Sequence, residues 1–102
     1  MGRKTDLAVI ATARAQPGKE KELERALQEA AGPTRLQPGC VSFSLYRLSE
    51  NPTVVVGLER WASFKHHERH LGGVHIQRLM SAIILILPEP PEIASYEVLD
   101  EL

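Results

Sequence analysis

Four histidines lie close together in the second half of the chain, and they are the side chains best suited to move protons near neutral pH: His66, His67, His70 and His75. An unperturbed imidazole titrates near pH 6.5, so it can accept or release a proton under physiological conditions. The i, i+4 spacing of His66 and His70 would also place two imidazoles on one helical face, where they could bind a metal. No cysteine lies nearby and the His-Glu-x-x-His pattern is missing, so we expect proton transfer without a metal.

A second set of reactive side chains is the tripeptide Glu59-Arg60-Trp61, which ends an apolar run. Side chains alternate along a strand, so Glu59 shares a face with Trp61 and Arg60 points to the other side. The indole of Trp61 could form a flat wall for an aromatic ligand, or it could be a core side chain whose N–H finds a partner. A buried carboxylate also needs a partner, and we expect Arg47 or Arg78 to supply it.

Polar and apolar residues alternate between positions 40 and 48, and the polar set forms one stripe: Ser42, Ser44 and Tyr46. On a strand this stripe lies on one face, where its hydroxyl groups could bind the oxygen atoms of a substrate. The same stripe could instead be a hydrated part of an interface between two subunits.

The hydrophobic pattern predicts seven elements that must position these residues. Four short segments have the periodicity of strands and three have the periodicity of helices. In chain order they are a strand at 7–13, a helix after Pro17-Gly18 that stops at Gly32-Pro33, strands at 40–48 and 53–61, a helix capped by Ser63 and ending at Leu71, a helix at 74–87, and a strand at 93–99. Gly57 is expected to mark a β-bulge.

This β-α-β-β-α-α-β order is typical of an α+β, ferredoxin-like split βαβ fold, in which helices cover one face of an antiparallel sheet. The strands at 7–13 and 53–61 are apolar at nearly every position, whereas a sheet with one water-exposed face would alternate. The second face therefore needs a cover. Because two-fold homodimers are the commonest oligomers, we expect a homodimeric α/β barrel in which the second faces of two copies pack together.

Length and composition, with 43% hydrophobic and 25% charged residues, indicate one globular domain over residues 1–102. The formal net charge of -1 without a basic cluster argues against a nucleic-acid partner.

The single cysteine, Cys40, cannot form an internal disulfide, and the start of the chain lacks the apolar stretch of a signal peptide, so we expect a cytoplasmic protein. The longest apolar run, at 82–87, is far below the roughly 20 residues that span a bilayer, so we expect no membrane partner.

Five short motifs occur in order along nearly the whole chain: Ala15-Gln16-Pro17-Gly18-Lys19, Gln37-Pro38-Gly39-Cys40, Glu59-Arg60-Trp61, His70-Leu71 and Pro91-Glu92-Ile93. Together they resemble the antibiotic biosynthesis monooxygenase family. The resemblance implies a dimeric α/β barrel with one pocket per subunit, between the sheet and the helices. It also implies that a small aromatic substrate, a polycyclic phenol or quinol, reacts with O2 without a cofactor, whether metal or flavin.

The resemblance also implies roles for single residues. His70 occupies the position of the family's recurring histidine after the Glu-Arg-Trp element, so it is the expected base; the alternative is a hydrogen bond that ties its helix to the sheet. Trp61 matches the tryptophan that lines the substrate site in such members, and Glu59 is expected to position His70 or to anchor the dimer. Phe64 and His75 complete the expected substrate contacts, together with Ser42, Ser44 and Tyr46.

Other activities occur in the same family, so the resemblance leaves the reaction open. Its haem-degrading members use an asparagine in the first strand and a histidine in the last helix, whereas the strand at 7–13 has no asparagine and His75 only begins its helix. An isomerase of a small carbonyl compound would use the same histidine and carboxylate without O2. A non-catalytic ligand-binding dimer is the third alternative.

Overall fold

The computed structural model of the chain describes residues 7–101, in which seven elements follow one another in the predicted order. Their bounds are β1 (Leu7–Arg14), α1 (Glu20–Arg35), β2 (Cys40–Arg47), β3 (Val54–Trp61), α2 (Phe64–Leu71), α3 (Val74–Ile83) and β4 (Glu92–Glu97). The strands form an antiparallel sheet in the order β2-β3-β1-β4. The predicted α+β, ferredoxin-like fold is confirmed.

Strand register divides this sheet into an inner face, which packs against the helices, and an opposite, outer face. On the inner face Ala13 of β1 pairs with Val55 of β3. Both belong to a buried cluster that includes Leu23 of α1 and Ile83 of α3. The hydrophobic core therefore lies between the inner face and the helices.

The outer face carries large side chains that stay exposed in the single chain. Leu58 is 42% exposed, Tyr46 54% and Tyr96 49%. Ile10 stands opposite Leu58 in the register, on the same face. Contiguous exposed apolar surface of this kind is typical of a contact site for another molecule.

Helix α1 does not stop at Gly32-Pro33, as the turn signals predicted, but continues to Arg35. Thr34 is fully buried in this last turn, and its hydroxyl donates a 2.8 Å hydrogen bond to the carbonyl oxygen of Ala30. Burial and this bond outweigh the loss of one backbone N–H at Pro33. The additional turn brings Thr34 next to α3, where His75 Nε2 lies 3.1 Å from the Thr34 hydroxyl.

Helix α3 differs in the opposite direction, because it ends at Ile83 and not at Leu87. The chain turns there, and the carbonyl oxygen of Ile86 accepts a 2.9 Å hydrogen bond from the backbone N–H of Gln16. Ile86 and Leu87 are buried, so the apolar tail of the predicted helix closes one end of the core.

Within residues 7–101, every helix is too short or too polar to traverse a bilayer.

The predicted β-bulge at Gly57 is wrong, because the β1–β3 pairing runs through this residue without a shift. The register shift lies in β2, between Cys40 and Ser42. Gly57 is buried on the inner face, where the missing side chain leaves space.

Candidate active site

A pocket with a cavity volume of about 80 Å³ and an opening to solvent lies between the inner face of the sheet and the helices. Most of its wall is apolar: Ala11, Leu27, Phe43, Leu45, Ile76, Leu79, Met80 and Ile83. Its polar side chains are Glu59, His67 and His70, and among the described residues that line it there is no lysine or arginine. The pocket suits an uncharged, largely apolar ligand with a few polar atoms.

Glu59 and Trp61 are joined on the inner face, as strand alternation predicted. The indole Nε1–H of Trp61 donates a 2.8 Å hydrogen bond to Glu59 Oε1. Burial raises the pKa of the Glu59 carboxyl, while the hydrogen bond from Trp61 opposes that rise. The arginine partner expected for Glu59 is wrong, since Arg47 forms a two-bond ion pair with Glu24 instead.

The second oxygen of Glu59 lies near Gly57, and both residues line the pocket. A methyl group added at Gly57 would come within 3.9 Å of Glu59 Oε2. The hydrogen bond from Trp61 goes to Oε1, so Oε2 is the carboxyl oxygen placed to meet a ligand.

His70 is buried in α2 and lines the pocket. Its ring lies against Trp61 with centroids 4.7 Å apart and planes 31° apart. His70 Nδ1 is 2.5 Å from the side-chain oxygen Oε1 of Gln37. Burial, with smaller contributions from His75 and His67, lowers the pKa of His70 to about 4. The imidazole is therefore neutral at pH 7 and can accept a proton.

His67 is the second imidazole of the pocket and sits one helical turn before His70. Its ring centroid is 5.9 Å from that of Trp61 and 6.1 Å from that of His70. Burial lowers the pKa of His67, with partial opposition from the Glu68 carboxylate. Among residues 7–101 the His67 ring has no hydrogen-bond partner, so its nitrogen atoms remain available to a ligand.

The other two histidines bond to the protein outside the pocket lining. His75 Nε2 is 3.1 Å from Thr34 Oγ1, and His66 Nδ1 is 2.7 Å from the Oγ of Ser63. Ser63 also accepts a hydrogen bond from the backbone of His66, which confirms its predicted role as the cap of α2. No group of three or more His, Cys, Asp or Glu side chains in the described part of the chain is arranged to hold a metal ion.

Several expected substrate contacts lie away from this pocket. The polar stripe of β2 stands opposite Arg60, Leu58 and Val56 in the register, which places it on the outer face: Ser42, Ser44 and Tyr46. Strand alternation therefore keeps the stripe from a ligand in the pocket of the same chain. Phe64 begins α2 and is 56% exposed, outside the pocket lining. Trp61 is fully buried behind His70 and Glu59, so it supports the pocket wall without lining it.

Sequence reasoning missed Gln37 and Phe43 as parts of the site. Gln37 lies just after α1, and its contact with His70 joins residues 33 positions apart, which no local pattern reveals. Phe43 belongs to the apolar set that alternates with the polar stripe of β2; it pairs with Glu59 and supplies an aromatic wall of the pocket. Strand alternation places Phe43 on the face opposite Ser42 and Ser44, and this was the sequence signal that could have assigned it to the site.

Comparison with known proteins identifies the family. The sequence model of antibiotic biosynthesis monooxygenases matches residues 6–82. The chain belongs to the antibiotic biosynthesis monooxygenase family. The matched range covers most of the chain and contains Gln37, Glu59, Trp61, His67 and His70.

Two similar proteins support this assignment to the antibiotic biosynthesis monooxygenase family. Rv0793 of Mycobacterium tuberculosis, which is provisionally named a monooxygenase, is 28% identical over 95 residues, or 93% of each chain. Its solved structure has a TM-score of 0.89 and covers 95% of this chain and 98% of that one. PA3566 of Pseudomonas aeruginosa is 27% identical, with a TM-score of 0.88 and coverage of 98% and 100%.

Proposed function

We propose that the chain is a cofactor-independent monooxygenase that oxidises a quinol or an anthrone with O2. The observation that supports this most is a neutral imidazole, His70, at the wall of a largely apolar pocket beside the buried Glu59 carboxyl. Membership of the antibiotic biosynthesis monooxygenase family supports the reaction type. The apolar lining of the pocket, with its few polar groups, supports the substrate class.

In the proposed reaction His70 removes a proton from the bound substrate. An ionised quinol or anthrone is easier to oxidise, so it transfers one electron to O2, which becomes superoxide. The substrate radical and superoxide then form a C–O bond and take up a proton, giving a hydroperoxide. Loss of the C–H proton and cleavage of the O–O bond release water and leave a carbonyl. One oxygen atom of O2 enters the product and the other leaves as water.

Three features of the pocket assist this sequence. The substrate anion forms an ion pair with protonated His70, which offsets the cost of burying that charge. Burial raises the pKa of the Glu59 carboxyl, and in its protonated form this group can donate a hydrogen bond from Oε2 to the oxygen on which negative charge develops. The apolar wall excludes water, which strengthens both interactions.

We test the function by oxygen uptake of the chelator-treated protein with a panel of one-ring hydroquinones and three-ring anthrones. Gly57→Ala tests whether the reaction takes place in this pocket. Its methyl group would occupy space in the pocket and would contact Leu45, Phe43 and Glu59 at 3.7–3.9 Å without a clash. We expect Gly57→Ala to fold normally and to raise KM by roughly tenfold for three-ring substrates, about 1.4 kcal/mol of lost binding. One-ring substrates should be affected less.

Gly72→Ala is the matched control, because a methyl group there meets only backbone oxygens at ordinary contact distance, outside the pocket lining. Equal effects of Gly57→Ala on small and large substrates would contradict the assignment of this pocket. No oxygen uptake with any substrate of the panel would contradict the monooxygenase proposal itself.

A second function is supported by the pair of pocket imidazoles. Because His67 and His70 both line the pocket, they could move a proton between two carbons of a small carbonyl compound without O2. The lack of cationic side chains among the described lining residues argues against a phosphorylated substrate. Exchange of substrate hydrogen with deuterated solvent under anaerobic conditions would favour this isomerase, whereas binding without exchange or uptake would favour a ligand-binding role.

We also propose that two copies pack through their outer faces. The exposed Leu58, Tyr46 and Tyr96 lie on this face beside Ile10 and Val56, and a second copy presents the same apolar surface. A lysine at position 58 would bury charge in the centre of such an interface. We expect Leu58→Lys to convert a dimer into a monomer in light scattering, while Gln28→Lys, which adds the same charge on exposed α1 surface, leaves the dimer intact. A wild-type monomer would overturn this proposal.

A further inference from the structure

Gln37 is the one side chain that holds His70 by a hydrogen bond among the described residues. The two residues are 33 positions apart in the chain, and the bond joins the segment after α1 to the pocket side of α2. Neither the oxygen-uptake chemistry nor the family match assigns Gln37 a role. Its contact with the proposed base makes it the strongest candidate for a further function in the site.

The backbone on both sides of Gln37 is fixed, so its amide is presented in a defined position. The N–H of Gln37 donates a 3.1 Å hydrogen bond to the carbonyl oxygen of Thr34, and its own carbonyl accepts one of 3.1 Å from Cys40. Thr34 is itself fully buried in the last turn of α1. The side chain therefore extends from a rigid corner of the fold.

The surroundings of Gln37 also favour one orientation of its amide. Gln37 Nε2 and two backbone carbonyl oxygens of α2 surround the same position beside Gly73. A methyl group added at Gly73 would lie 3.3 Å from Gln37 Nε2, 3.2 Å from the His70 oxygen and 3.6 Å from the Arg69 oxygen. The amide nitrogen thus lies on the side of the carbonyl end of α2, where a hydrogen-bond donor is favoured. This leaves Oε1, which can only accept, for the imidazole of His70.

We propose that Gln37 is a positioning residue that keeps the hydrogen of neutral His70 on Nδ1 and so leaves Nε2 as the nitrogen that accepts the substrate proton. The choice of tautomer follows from the acceptor, because Nδ1 must carry hydrogen in order to bond to Oε1. The role in proton transfer rests on the proposed monooxygenase function. The tautomer itself does not, and it can be measured in the resting protein.

The test compares Gln37→Met and Gln37→Glu by nitrogen NMR of the His70 ring, with Gln77→Met as the matched control. Gln77 also bonds to the end of α2, through the Leu71 carbonyl, but it does not contact His70. We expect wild type and Gln77→Met to carry the His70 hydrogen on Nδ1 at pH 7. Gln37→Met should lose this preference, because methionine fills the space without an oxygen acceptor.

Gln37→Glu separates positioning from simple packing. Its carboxylate keeps the bond to Nδ1 and adds a negative charge, while His67, His75 and Glu59, the titratable groups facing His70 from its own and neighbouring elements, are unchanged. The titration midpoint of His70, and the acid limb of kcat/KM with it, should move to higher pH. Gln37→Met should lower kcat/KM by roughly tenfold to a hundredfold, the range found when an outer hydrogen-bond partner of a metal-bound histidine is removed.

Hydrogen on Nε2 in the wild type, or an unchanged tautomer in Gln37→Met, would overturn the proposal. If Gln37→Met does not fold, an unshifted His70 midpoint in Gln37→Glu has the same consequence. A correct tautomer in a protein that consumes no oxygen with any substrate would leave the positioning role intact and would count against the monooxygenase function alone.

Discussion

Replacement of His70 by alanine should lower kcat/KM for oxygen consumption by roughly 10²- to 10⁴-fold, the usual contribution of a positioned general base. The imidazole lines the pocket, lies against Trp61 and is neutral at pH 7, so its removal leaves no equivalent base at that point. His66→Ala is the matched control, because His66 lies in the same helix but bonds to Ser63 outside the pocket. Oxygen uptake with His66→Ala should remain at the wild-type rate.

The pH profile of the wild type tests the same assignment. Burial lowers the pKa of His70 to about 4, and a base acts only while it is unprotonated. Activity should therefore persist from neutral pH down to about pH 4 and fall below it, with no loss near 6.5. An acid limb near pH 6.5, or unchanged turnover in His70→Ala, would assign proton transfer to another group.

Truncation of Trp61 to alanine should cause the largest loss of stability, about 3–5 kcal/mol in the free energy of unfolding. Trp61 has no exposed surface, and its side chain supports both His70 and Glu59. The truncation also removes the donor from Glu59 Oε1, which adds about 1–3 kcal/mol if that oxygen finds no new partner. A domain of this size has only about 5–15 kcal/mol in total, so the variant should unfold at much lower urea concentration.

Phe64→Ala is the control for this measurement, because Phe64 is also aromatic but is 56% exposed at the start of α2. Its truncation should cost less than about 0.5 kcal/mol. Trp61→Phe should fall between the two, since it keeps an aromatic ring but loses the indole N–H. Similar urea midpoints for Trp61→Ala and Phe64→Ala would contradict the central position of Trp61 in the core.

Local pattern was sufficient to predict the order of the elements and the face that Glu59 and Trp61 share. Both depend on side-chain periodicity along a single strand or helix. The end of α1 could not be predicted in this way, because the stop signal at Gly32-Pro33 is overridden by tertiary burial of Thr34. The same limit applies to the contact between Gln37 and His70, which are 33 positions apart and meet only in the tertiary fold.

The polar stripe of β2 illustrates a different limit. Alternation showed that Ser42, Ser44 and Tyr46 share a face, but not which face meets the helices. Both faces of this sheet carry apolar residues, so composition does not distinguish them. The register of β2 against β3, with its shift near Cys40, decides the matter only once the strands are paired.

The positions of the aromatic residues determine what ultraviolet absorbance and fluorescence report about this protein. Its single tryptophan, Trp61, lies against the proposed base on the inner face, whereas both tyrosines, Tyr46 and Tyr96, lie on the outer face. Tryptophan emission therefore reports on the ligand pocket, and tyrosine absorbance and emission report on the surface that a second subunit would cover. Ligand entry and subunit association can be followed as two separate intrinsic signals in the unlabelled protein.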